Sequence, residues 1–315
     1  MFKKIVSLVV CFAAAFTLTV SAFAQSGSAE VEAAERVPLY LEYYYNQMSS
    51  DSQAFFLKLR KAILNCEPKV KFTANEIRNT DKDEMVSAFS LLDSYDPLAF
   101  NFILGDLTVD SKSPDTFLLK YHYDKSTYNK MTAAYEKKAD EILDKLPDDM
   151  SAYKKIKAIH DEIINTASYD NSAYEAHQLS ENLDNDNSVN IYGTLVEGKA
   201  VCEGYSETFA YMCSKIGVRA VCVRGDEYPS KDDTPHEWNK VYYNKQWYNV
   251  DLTWDDPTSN IKENLKYDYF MVSDKTMNRD HRENNPNFRV PKAADDSKAY
   301  YTVNKKCAQD LDSAR

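Results

Sequence analysis

Three side chains in the second half of the sequence have the types and order needed for acyl transfer through sulfur: Cys202, His236 and Asp251. In such chemistry a thiolate attacks, an imidazole moves the proton, and a carboxylate fixes the imidazole's tautomer and orientation. Cys202 stands in Gly198-Lys-Ala-Val-Cys202-Glu-Gly-Tyr-Ser, which leads into Glu207–Ile216 and stops at Gly217. That pattern predicts a loop, a helix opening at the cysteine, and a glycine stop. Unpaired N–H groups and the positive end of the helix dipole would favour thiolate there. Cys213, further along the same helix, reads as a buried structural thiol.

Positioning His236 and Asp251 falls to a hairpin. Val218–Arg224 reads as a strand, and a turn-rich stretch follows to Pro235. His236-Glu-Trp-Asn-Lys-Val-Tyr-Tyr and Gln246-Trp-Tyr-Asn-Val-Asp251-Leu then flank the two-residue turn Asn244-Lys245. With Tyr243 facing Gln246, Lys240 opposes Asn249 and Trp238 opposes Asp251. His236 then shares a face with Asp251 as a diagonal neighbour, roughly 7–8 Å away at the backbone. The other face carries Val241, Tyr243, Tyr248, Val250 and Leu252 and is expected to pack on the core. His236 would take the Cys202 proton and later protonate the leaving amine, with Asp251 orienting it. For the oxyanion, the Cys202 main-chain N–H is one expected donor. A second comes from an upstream aromatic, with Tyr192 preferred to Tyr169 because it lies close before the nucleophile. Trp238 and Trp254 are expected to shield the cleft from water, and Glu203 to act as first-turn helix charge. His160, on the apolar stripe of a helix over about 150–166, is expected to be a satisfied core residue.

The blocks Gly198–Ser206, His236–Asn239, Trp247–Pro257 and Tyr267–Ser273, with the His281 that follows, resemble the transglutaminase-like superfamily in its bacterial secreted branch. The resemblance covers roughly residues 150–285. It implies an α+β fold with a papain-like core, in which a catalytic helix packs on an antiparallel sheet behind an N-terminal α/β extension. It also implies Cys202, His236 and Asp251 as the catalytic positions, with a thioester intermediate. Glu237 departs from the Ala or Val common after the histidine, and is expected to alter charge at the cleft rim. Water as acceptor makes a peptidase or amidase. An amine makes a cross-linking protein-glutamine gamma-glutamyltransferase. Hydrolysis is the favoured outcome. The reading from a different class is a non-catalytic cell-surface binding module that keeps the fold.

Lys3 and Lys4, the apolar run Ile5–Val20 and Ala22-Phe23-Ala24 form a secretory signal peptide over 1–24. The expected mature chain is secreted or extracytoplasmic with no membrane span, which makes protein or peptide substrates, cell-wall peptides among them, the expected partners. A net charge of −11 argues against nucleic acid. Residues 25–149 read as a helical and strand-containing extension, with strands at Phe100–Leu104 and Thr116–Tyr123, and 150–315 as the catalytic domain. Five cysteines remain after cleavage. They read either as disulfides Cys213–Cys222 and Cys66–Cys307 beside a free Cys202, or as buried small hydrophobes. The polar stretch Asn171–Asn190 reads as a loop. Its Asp184-Asn-Asp-Asn start lacks the glycine and terminal Glu of a calcium loop. No metal or cofactor is expected, since neither H-E-x-x-H, paired C-x-x-C nor a glycine-rich phosphate loop occurs.

Overall fold

The computed structural model describes residues 37–99, 107–178, 186–229, 234–256 and 265–304. The expected signal peptide over 1–24, the expected strand at Phe100–Leu104 and Cys307 lie outside them.

Helices α1 (Leu39–Tyr45), α2 (Ser50–Leu64), α3 (Ala74–Asn79) and α4 (Lys82–Tyr95) open the described chain. Each start of α2, α3 and α4 is sealed by a side chain: Ser49, Thr73 and Asp81 accept the orphan first-turn N–H groups. At α3, Thr73 and Glu76 cap each other reciprocally. Strands β1 (Lys69–Lys71), β2 (Thr108–Asp110) and β3 (Ser113–Leu118) make a small antiparallel sheet in the order β1-β3-β2. Helices α5 (Lys125–Leu143) and α6 (Ala152–Thr166) follow. On α6, Ile156, Ile159, His160, Ile163 and Ile164 form the buried stripe.

After strand β4 (Ser168–Tyr169) the expected long loop contains helix α7 (Asn171–Gln178). The Asp170 carboxylate starts that helix by accepting the N–H groups of Ser172 and Ala173. A 3₁₀ turn (Asn187–Val189), a π turn (Gly193–Glu197) and strand β5 (Lys199–Ala200) lead to helix α8 (Cys202–Lys215). Next come β6 (Ala220–Glu227), β7 (Pro235–Tyr243), β8 (Gln246–Val250), α9 (Leu252–Asp255), β9 (Phe270–Val272), α10 (Asp274–Met277), β10 (His281–Glu283) and α11 (Tyr300–Asn304). The five-stranded sheet runs β10-β6-β7-β8-β9, antiparallel throughout. Helix α8 packs on β6 and β7. This is an α+β fold with a helix laid on an antiparallel sheet.

The hairpin register is the one its sequence dictates: Tyr243 faces Gln246, Lys240 faces Asn249, and Asn244 and Lys245 both take the left-handed φ of a type I′ turn. Both faces of β7, however, are buried. Asn239 binds the Ser206 carbonyl of α8, while on the other face Lys240 is matched by Asp274 and the Pro291 carbonyl, each at 2.8 Å. Lysine and asparagine are tolerated inside because each finds partners there.

The cysteines do not pair as Cys213–Cys222. Both thiols are free and buried, and Cys66 is free as well. The main apolar core runs from Tyr40 to Ala299 across residue 150, and Ala173, Val189 and Val201 form a smaller second cluster. Tyr44 donates its hydroxyl to the Cys222 carbonyl of β6 at 2.7 Å, and Tyr135 meets Tyr211 of α8 edge-on.

Candidate active site

Cys202 is delivered by a short run of close backbone contacts. Gly198 ends the π turn with φ of +72°, which glycine adopts without strain. β5 then pairs in parallel with β4, Tyr169 beside Ala200. The Val201 N–H donates to the Ser188 carbonyl at 2.9 Å. A Cβ on Gly204 would lie 2.3 Å from that same oxygen, so the helix sits this close only with glycine there. Cys202 is the first helical residue, and its N–H has no acceptor inside the helix. The side chain is 5% exposed and its thiol donates to Glu203 Oε2 at 3.0 Å. Burial, then the Glu203 charge and bond, then the Glu237 charge push the thiol well above its ordinary value; the Glu237 main-chain N–H, directed at the sulfur, pulls the other way. These surroundings disfavour the thiolate, opposite in sign to the helix-start effect expected from the sequence. A helix terminus contributes only about 0.3–2 kcal/mol toward an anion, less than the desolvation it faces here.

His236 opens the buried run of β7, after the exposed Pro235, and Asp251 follows the last residue of β8. The aspartate is shared between two tasks. Its Oδ1 accepts the Trp254 N–H at 3.1 Å and caps α9; its Oδ2 accepts from His236 Nε2 at 2.8 Å. Burial alone would raise the Asp251 pKa, but the charge and bonds of His236 and then His281 hold it well below the usual carboxylate range. An ionised Asp251 only accepts, so His236 carries its proton on Nε2 and leaves Nδ1 as a lone pair. Nδ1 has no hydrogen-bond partner among the described residues. The ring lines a cavity of about 440 Å³ with Tyr169, Tyr174, Glu227, Trp254 and Asp256. The Cys202 sulfur thus faces the Glu237 main-chain N–H, one residue along β7 from a histidine that has one free nitrogen, is tied to a buried carboxylate and lines an aromatic-walled cleft.

Residues 122–252 match the model of the transglutaminase-like superfamily. Residues 122–252 are thus similar to a transglutaminase-like core. Over 107 residues the chain is 31% identical to the kyphoscoliosis peptidase of Mus musculus and 30% identical to that of Homo sapiens, in each case over 30% of this chain. The chain spans 16% of the length of these curated relatives. Among solved structures, a TGase shares 22% identity over 42% of this chain and 33% of its own, with a TM-score of 0.34. A proposed cysteine protease from Cytophaga hutchinsonii shares 17% over 56% of this chain and 50% of its own, with a TM-score of 0.31.

Trp238, inside the matched region, and Trp254, two residues beyond it, both lie against His236, with ring centroids 6.1 and 5.9 Å away. Trp238 also donates to Asn249 Oδ1, which satisfies its buried N–H. Of the two tyrosines, Tyr169 and not Tyr192 lines the cavity. Burial, then the nearby Cys202 and Glu203, raise its hydroxyl pKa. Tyr192 precedes the π turn, half-buried on the side of Tyr123. Nearness in sequence misled here, because β4 pairs with β5 and brings residue 169 alongside the nucleophile.

Two acidic residues are also placed differently from expectation. Glu203 does sit in the first turn of α8, but its carboxylate reaches back to the thiol. Glu237 is 1% exposed, not at the rim, and is paired with Arg224 at 3.0 Å across the β6–β7 ladder. Burial raises its pKa to about 8 despite Arg224. His281 entered the sequence reading only as part of the family resemblance, with no role assigned, yet its Nε2 lies 2.9 Å from the same Asp251 Oδ2 that His236 binds. His236, Asp251 and His281 are the residue types of a transition-metal site. Their geometry is instead that of a hydrogen-bonded cluster: both rings direct an N–H, not a lone pair, at one oxygen.

Proposed function

We propose that this protein is an exported cysteine-dependent amide hydrolase acting on protein or peptide substrates through Cys202, His236 and Asp251. The observation that carries the reading is the free Nδ1 of His236, with Nε2 tied to Asp251, at the wall of a cleft and one residue along β7 from the Glu237 N–H that faces the Cys202 sulfur. As substrate enters, Nδ1 takes the thiol proton and the sulfur attacks the amide carbon, forming a C–S bond and an oxyanion. The Cys202 N–H meets the oxyanion, and the hydroxyl of Tyr169, which lines the cleft and is influenced by the Cys202 charge, is the second donor. The His236 imidazolium then gives its proton to the departing amine, leaving a thioester. Water, deprotonated by His236, attacks the thioester and releases the acid. Holding Cys202 as a thiol until the cleft is filled suits this order, since proton transfer and attack occur together.

Water as acceptor is supported by the likeness to the kyphoscoliosis peptidases, and export by the signal-peptide pattern at 1–24. Incubation with a glutamine-bearing protein and a labelled primary amine tests the acceptor. Hydrolysis should outpace incorporation, and stable incorporation as the faster outcome overturns it. Acid-quenched digestion mixtures should contain an acyl adduct on Cys202 that is slow to form in His236→Ala. Absence of any adduct and of any cleavage across a peptide and amide library would leave a binding module.

A further inference from the structure

His281 is 0% exposed and both of its ring nitrogens meet carboxylates: Nε2 lies 2.9 Å from Asp251 Oδ2 and Nδ1 lies 2.7 Å from Asp280 Oδ1. An ionised carboxylate accepts and cannot donate, so satisfying both bonds needs an N–H on each nitrogen. Only the imidazolium has two. We propose that His281 is a positioning residue for the amide chemistry: a permanently protonated imidazolium, clamped between Asp251 and Asp280, that sets the basicity of His236. The proposal rests on the Cys–His–Asp reading above.

The surroundings hold that charge in place. Asp280 is itself fixed, its Oδ2 accepting the Tyr269 hydroxyl at 2.6 Å and its carbonyl accepting the Tyr228 N–H at 2.7 Å. The rings of Trp254, Trp238 and Tyr269 stand 4.5, 5.1 and 5.3 Å from His281 and exclude water. From β6, Glu227 is the register partner of His281. From β7 the facing group is His236, its ring centroid 5.3 Å away. Asp255, at the far end of α9, is committed to His160 and the Tyr269 N–H. The β10 neighbours turn away, Arg282 over the Tyr228 ring and Glu283 to Lys240. Burial lowers the His281 pKa, but the bonds and charges of Asp251 and Asp280 outweigh it, and the net direction is upward.

The consequence is a balance of charge. With His281 protonated, transfer of the Cys202 proton to His236 leaves two imidazoliums facing Asp251 and Asp280. Without it, one imidazolium would face both carboxylates and hold its proton too tightly to release it to a leaving amine. Removing the His281 charge therefore raises the pKa of His236, and that of the thiol beside it. Both limbs of the pH profile of kcat/KM should move to higher pH.

The test compares pH profiles of wild type and His281→Gln, which keeps a donor to Asp251 and drops the charge. Both limbs should shift up by about one unit, the size expected of a charge at this range. kcat at neutral pH should fall, and KM should hold because His281 touches no substrate. Unmoved limbs overturn the proposal. Nitrogen-15 spectra of Cys202→Ala cover the case in which His281→Gln fails to fold. The His281 ring should keep two N–H signals from about pH 5 to about pH 9, beyond the usual imidazole range. A His281 ring that loses a proton below about pH 8 overturns the proposal. The spectra need no activity, so failure of the hydrolase reading is told apart by its own sign, cleavage that persists in Cys202→Ala.

Discussion

Two histidine–carboxylate clusters lie buried at opposite ends of α9, and they are inverses of each other. At its start, Asp251 is held between the rings of His236 and His281; at its end, Asp255 joins Asp161 in holding the ring of His160. His160 and Asp255 are both 0% exposed, as are Asp251 and His281. Burial and charge pairing are therefore alike in the two. The difference is one nitrogen. Both ring nitrogens of His160 are committed, to Asp161 at 3.0 Å and Asp255 at 3.2 Å, so its proton has nowhere to go. His236 keeps Nδ1 open at the wall of a cavity. A buried charge network becomes chemical only where one member is left unsatisfied, and elsewhere the same parts serve as a clamp.

The largest effect that could break this comparison is on catalysis. Cys202→Ala, and Asp251→Asn, which would leave His236 in the wrong tautomer, should lower kcat/KM by about 10⁴-fold or more with unfolding midpoints little changed for Cys202→Ala. Loss of only a few-fold in either, measured on a cleaved peptide, would place the chemistry elsewhere.

His160→Gln should do the opposite, lowering stability by about 3–5 kcal/mol by stripping two carboxylates of their partner. Burial lowers the His160 pKa, but the bonds to Asp161 and Asp255 win and raise it. A raised histidine pKa contributes stability that is complete below the unfolded value of about 6.5 and fades as pH rises through the folded value. The gap between wild type and His160→Gln in urea unfolding should therefore be widest in acid and narrow as pH rises. A gap that widens with pH contradicts the clamp.

Gly225→Ala sharpens the contrast from the backbone side. A Cβ there would meet the Arg282 carbonyl at 2.0 Å and the Trp238 ring at 2.6 Å, prising β10 from β6 beside His281. The expected loss is about 1–3 kcal/mol of stability, with activity falling more than in a distant variant of equal stability. The smallest effect belongs to Glu203→Gln. Removing the carboxylate that holds the thiol up should lower the Cys202 pKa and speed its alkylation by iodoacetamide at neutral pH by about tenfold. Slower alkylation would mean that Glu203 helps to form the thiolate.

How much of this was legible in sequence follows from how local each feature is. The helix start at Cys202 and the hairpin register carry their own signals: a glycine-bounded apolar stretch, strict alternation, and a two-residue turn. They place His236 with Asp251 correctly. The assignment of His160 to the core was also legible, from its place on an apolar helical stripe. What escaped depends on contacts between distant strands. His281 was noted only within the family resemblance, without a role, and Asp280-His281 reaches Asp251 because β10 pairs with β6. Glu237 looks like a surface acid until Arg224 is found beside it on the next strand. Tyr169 outranks Tyr192 only once β4 is seen lying along β5. The thiol's protonation likewise follows from burial, which the helix-start pattern does not encode.

The phenol of Tyr44 seated on β6 has a further consequence, for how such a core can be moved or inherited. Similarity to the family begins at residue 122, yet α1 closes over the strand beside the nucleophile helix, and β9 and β10 come after residue 252. A graft of 122–252 alone would carry Cys202, His236 and Asp251 into a new host. It would arrive without the roof over Cys222, without the edge strands, and without His281. The transplantable piece is the whole of the described chain from Val37 onward, and the edges of recognisable ancestry fall well inside it.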